Sequence, residues 1–130
     1  MTKEEYKLLK DIAYEVIIEE QLSVPTEIKF KNPLNGANRR MGANIWNKLY
    51  NTYKISVTTT EAQFVEDDNG TLINKQGKKY KKLLGKERNF NDIKLTLAHE
   101  IAHIKYRKHN KEHKNYTQQI IKLINNKLEA

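Results

Sequence analysis

The four histidines of the chain, His99, His103, His109 and His113, fall within fifteen residues. No other feature limits its folds so sharply. His99 and His103 stand four apart, so on a helix they project from one face and can share a metal ion. The five residues His99-Glu100-Ile101-Ala102-His103 form the His-Glu-x-x-His pattern, a zinc signature when it lies on a helix. There are no cysteines, so thiolate sites and disulfides are excluded and a metal must sit on His, Asp or Glu.

The chemistry explains the residue types. Two neutral imidazoles hold Zn²⁺ at about 2 Å, and a third protein ligand leaves one position for water. The ion lowers the pKa of that water and polarises a scissile carbonyl. A carboxylate beside the metal, here Glu100, acts as general base and can pass the proton to the leaving group. The third ligand is either His109 or His113, with His109 preferred. A helix ending near Arg107 would let the chain turn and bring His109 back to the ion. His113 lies one turn into the next helix and would otherwise pack behind the site. Glu112 is a weaker alternative. Tyr80, Tyr106 and Tyr116 are candidate oxyanion donors that the sequence does not place.

The rest of the pattern reads as one α+β domain over residues 1–130, with an N-terminal helix, a small, mainly antiparallel sheet, the His-Glu-x-x-His helix and a C-terminal helix. Tyr6, Leu9, Ile12, Ala13, Val16 and Ile17 recur at helical spacing within a helix over Glu4–Glu20, ended by Ser23-Val24-Pro25. Glu27–Lys31 alternates as a short strand. Arg39–Ile45 and Tyr53–Thr59 form an antiparallel pair, joined by a longer connection over Trp46–Thr52. Gly42 inside the first of these strands signals a bulge or a close backbone approach. Asp67-Asp68-Asn69-Gly70, between Gln63–Glu66 and Thr71–Asn74, reads as a hairpin turn. Lys78–Lys82 fits either strand or loop. A helix starting at Asn91 or Asp92 carries Ile93, Leu97, Ile101 and Ile104 inward and runs to about Arg107. A last helix from Lys111 buries Tyr116, Ile120, Leu123, Ile124 and Leu128.

The formal net charge is +8. Residues 72–114 carry 13 Lys or Arg against four acids, a balance of +9 that leaves the remainder at −1. The basic segment therefore surrounds the histidine cluster. It reads either as a solvated lysine-rich surface or as a field that attracts DNA or acidic proteins. The first residues lack the basic start and apolar stretch of a signal peptide, and no apolar run is long enough to span a membrane. A cytoplasmic monomer is expected, without membrane attachment.

Leu97–His103 followed by His109-Asn110-Lys111-Glu112-His113 resembles the SprT-like, WLM and YgjP-like zinc metallopeptidases. Arg39-Arg40-Met41-Gly42 with the strand Lys54–Val57 is similar to the basic-x-Gly hairpin of that group. The resemblance covers roughly residues 39–122. It implies a minimal zincin-like fold, Zn²⁺ on His99, His103 and His109, Glu100 as the general acid-base, and a protein or peptide substrate extended beside a strand. His113 stands where the family usually has Phe or Trp. Some relatives act on proteins bound to DNA, which the basic segment would suit. Two other functions fit the same residues. One is a non-catalytic, zinc-containing domain that binds nucleic acid or regulates. The other is a metal-dependent hydrolase of a non-peptide bond.

Overall fold

The computed structural model describes residues 1–31, 41–66, 72–73 and 79–130, with side chains described outside 62–84. It is an α+β fold with three helices and small sheets. Helix α1 spans Lys3–Glu19 and begins with a capping box: the Thr2 hydroxyl accepts from the Glu5 amide, and the Glu5 carboxylate accepts from the Thr2 amide. The helix ends before the expected Ser23-Val24-Pro25 stop, because Gln21 takes a left-handed conformation (φ 58°). The expected stripe is buried from Leu9 to Ile17, while Tyr6 packs half-buried against Phe30.

Strands β1 (Glu27–Lys31), β2 (Gly42–Asn47) and β3 (Thr52–Thr58) form one sheet in the order β1-β3-β2. β1 runs parallel to β3 and β2 antiparallel to it, so this sheet is mixed. The connection from β2 to β3 is shorter than the sequence suggests. β2 runs on through Trp46 to Asn47, whose side-chain oxygen accepts from the amides of Leu49 and Tyr50. Asn51 completes the turn in the left-handed region (φ 50°), which Asn tolerates. Arg39 and Arg40, expected at the start of this strand, lie outside the described residues.

A second sheet holds β4 (Thr60–Glu66), β5 (Leu72–Ile73) and β6 (Lys79–Glu87) in the order β4-β6-β5. The expected hairpin partners, β4 and β5, are not paired with each other; both run antiparallel to β6. The segment that reads as strand or loop is thus a nine-residue central strand. Short lysine-rich stretches with little alternation conceal this, since pairing order depends on partners distant in sequence. The Asp67–Gly70 turn lies outside the described residues.

Helix α2 spans Phe90–Ala102, capped by Asn89, and α3 spans Lys111–Glu129, capped by Asn110. α2 therefore starts earlier than expected and stops about five residues short of Arg107. Ile93, Leu97, Ile101 and Ile104 are buried, as are Ala98 and Ala102. On α3, Tyr116, Ile120 and Ile124 are buried, whereas Leu123 and Leu128 are only partly so. One core joins α1, α2, α3 and the inner face of β3, where Tyr53, Ile55 and Val57 point. Among the described residues no helix is long and apolar enough to cross a membrane.

Candidate metal centre

The early end of α2 builds the site. His103 is its C-cap, and the chain turns through backbone bonds from Ile104 to Ile101 and from Lys105 and Tyr106 to Ala102. The turn returns His109 to the helix face that carries His99 and His103. The three Nε2 atoms lie 3.1 Å (His99–His109), 3.2 Å (His99–His103) and 3.0 Å (His103–His109) apart. Nitrogen ligands at about 2.0–2.1 Å from a tetrahedral centre would be separated by about 3.3 Å, so the triad is spaced to share one metal ion.

Tautomers support the same assignment. His103 Nδ1 lies 2.8 Å from the Tyr106 carbonyl. A carbonyl only accepts, so Nδ1 carries the proton and the Nε2 lone pair is left for the triad. Burial pushes His103 down to about 4, against the raising effect of the Tyr106 hydrogen bond. Burial also lowers His99, helped by the neighbouring His113 and His109. Both rings are therefore held neutral, the form that ligates metal.

His113 is turned away from this cluster. It is buried, and its Nε2 donates to the His99 carbonyl at 3.1 Å. Its ring stacks on His103 with centroids 4.0 Å apart and an interplanar angle of 18°. His113 thus braces two members of the triad, while His99, His103 and His109 form the group able to hold an ion. Glu112 is exposed and faces another cavity, with Glu20 and Lys105. Tyr116 donates to Glu20 at 3.0 Å and packs on the Tyr106 ring, so it serves the α1–α3 contact. The Tyr80 side chain lies outside the described residues.

Glu100 is 5 % exposed and lines a cleft of about 620 Å³ together with the three histidines. Gly42 of β2 forms the opposite wall. A Cβ on Gly42 would sit 2.6 Å from Thr96 Cγ2 and 3.1 Å from Glu100 Oε2. The glycine signal in the sequence is therefore a close approach, and it lets β2 lie against the Thr96 and Glu100 side of α2. Two arginines that sequence reasoning passed over hold the strand there. Arg88, 6 % exposed, donates to the carbonyls of Met41, Thr58 and Asp92 and to the Thr96 hydroxyl. Burial lowers its pKa, with Asp92 and Glu61 opposing the shift. Arg107 donates to Asn44 Oδ1 (2.7 Å), the Asn44 carbonyl (2.9 Å) and the His103 carbonyl (3.2 Å). Asn44 in turn donates to the Glu100 carbonyl at 2.8 Å.

No protein-family model, curated protein or solved structure matches this chain.

β2 is the outermost strand of its sheet, and among the described residues nothing pairs with its outer side. The Thr58 amide donates to the Met41 carbonyl, so in this antiparallel register the main-chain groups of Met41, Ala43 and Ile45 face β3. Those of Gly42, Asn44 and Trp46 point away from β3, and Gly42 and Asn44 line the cleft.

Proposed function

We propose that the protein is a zinc-dependent metallopeptidase of the SprT-like, WLM and YgjP-like kind, built on a minimal zincin-like fold. The observation that carries this reading is the buried Glu100 carboxylate in the same cleft as three converging imidazoles, beside a strand edge that pairs with nothing among the described residues. A purely structural metal site needs neither a carboxylate beside its ligands nor a cleft in front of them. His99, His103 and His109 would hold the zinc ion, which when bound supplies Lewis-acid activation of water and of a scissile carbonyl.

The chain's own groups do the remainder. The outward amide and carbonyl of Gly42 on β2 pair with an extended substrate and bring its backbone across the cleft. Glu100 takes the proton from the attacking water and delivers it to the departing amine. Gly42 allows the substrate-bearing strand to pass close above that carboxylate. The charge of residues 72–114 favours proteins associated with DNA as substrates of a cytoplasmic enzyme.

Glu100→Gln tests the reading. It keeps the side chain's size and removes the base, so zinc content should be unchanged and peptide hydrolysis should fall by roughly 10²–10⁴. Hydrolysis at the wild-type rate would sink the proposal and favour a non-catalytic zinc domain. Absence of a salt-dependent shift with single- and double-stranded DNA would remove DNA from the account.

A further inference from the structure

We propose that Arg107 ends the peptide-docking edge of β2 and recognises a carboxylate of the substrate. The proposal rests on the peptidase reading in taking a peptide as the occupant.

Asn44 offers one of the main-chain carbonyls on the outer side of β2, and Arg107 already donates to it at 2.9 Å. The same guanidinium holds Asn44 Oδ1 and the His103 carbonyl through Nη1. It lies 5.9 Å from the Trp46 ring centroid and 5.8 Å from that of Tyr53, so the aromatic pair supports its face. A strand added along Gly42 therefore meets a fixed cation at Asn44 and cannot continue its ladder there. Three of the five guanidinium donors are used among the described residues. The remaining two are the Nε hydrogen and one Nη2 hydrogen, the pair that matches the two oxygens of a carboxylate.

The charge of the groove agrees. A second cavity of about 870 Å³ meets the first at His99 and His109, and its lining includes Lys111 and Lys114. Among the described lining residues of both cavities, Glu100 is the sole carboxylate. Arg107 is exposed and forms no ion pair among the described residues. An acidic ligand group therefore displaces no internal partner. That carboxylate can come from the substrate's own C-terminus or from an Asp or Glu side chain, and the chemistry at Arg107 is the same.

The test measures binding apart from cleavage. Trp46 is the chain's single tryptophan and lies beside Arg107, so its emission reports occupancy. Zinc-loaded Glu100→Gln protein is titrated with synthetic hexapeptides that carry a C-terminal carboxylate or amide, and Glu or Gln at interior positions. Removing the recognised carboxylate should weaken binding about tenfold, and Arg107→Gln should erase that difference. A drop on amidation identifies the terminus as the source; a drop on Glu-to-Gln exchange identifies a side chain. Should Arg107→Gln fail to fold by circular dichroism, Arg107→Lys takes its place, since it keeps the charge and loses the paired donors. Equal binding of all peptides, or an undiminished preference in the folded variant, overturns the proposal. Carboxylate-selective binding without any cleavage by the wild-type protein would sink the peptidase reading alone. Cleavage that ignores the carboxylate would sink this proposal alone.

Discussion

The two sides of α2 are built by different means. On one side Ile93, Leu97 and Ile101 are fully buried against the core. Their positions follow from a spacing of three and four and from the non-directional attraction of apolar surface. On the other side Thr96, His99, Glu100 and His103 face the cleft. Directional bonds to and from elsewhere in the chain hold this face, including Arg88 to Thr96, His103 to the Tyr106 carbonyl, His113 to the His99 carbonyl and Asn44 to the Glu100 carbonyl. The packed face tolerates local adjustment, whereas the cleft face depends on each partner separately. Variants should therefore separate stability from chemistry according to the face they touch.

The largest separation is expected from His103→Ala. It removes one of three ligands, and zinc measured by mass spectrometry should fall from about one ion per chain to near none, with the helical circular-dichroism signal retained. Leu97→Ala should do the reverse, costing about 2–5 kcal/mol in urea unfolding while the folded protein still binds zinc. Loss of zinc from folded Leu97→Ala protein would show that the two faces are not separable. Gly42→Ala sharpens the contrast within the cleft. Its Cβ must displace Thr96 or Glu100, so zinc should stay bound while turnover falls by about 10²-fold, the cost of misplacing a reacting group by an ångström. His113→Phe keeps a ring against His103 and removes the donor to His99. Zinc affinity by chelator competition should weaken about 10–100-fold.

The smallest effect concerns pH in the metal-free protein. Burial holds His103 at about 4, below the ordinary imidazole value near ~6.5. Between these values the unfolded chain binds more protons than the folded one. Stability is thus complete above pH ~6.5 and falls as pH drops toward 4, with a slope of at most about 1.4 kcal/mol per pH unit from this group. Urea midpoints across that range check the sign, and His103→Gln should flatten the dependence.

Local pattern made the packed face legible. The helices, the burial of Ile93, Leu97 and Ile101, and β1 and β3 follow from periodicity that needs no knowledge of partners. The histidine spacing made the metal candidates legible as well, because the residue types and the helix period are both local. The order β4-β6-β5 was not legible, since strand pairing is chosen by contacts far apart in sequence. The end of α2 at Ala102 was also hidden. Helix-forming residues continue to Arg107, and what stops the helix is the capture of the His103 and Tyr106 groups in the turn. Arg88 and Arg107 left no signature because most of their acceptors are backbone carbonyls, which every residue provides. Gly42 was visible as an anomaly, but only the packing of β2 on α2 gives it a meaning.

The outer edge of β2 also bears on colloidal behaviour. An open strand edge accepts any extended chain, including another copy of itself, and Ile45, Leu49 and Tyr50 beside it are 63 %, 82 % and 73 % exposed. A charged side chain lying across an edge strand is a common device against such self-pairing. Arg107 lies across this one at Asn44. The residue that limits how far a substrate can extend would then also keep neighbouring molecules from zipping together, so neutralising it should raise light scattering at high protein concentration.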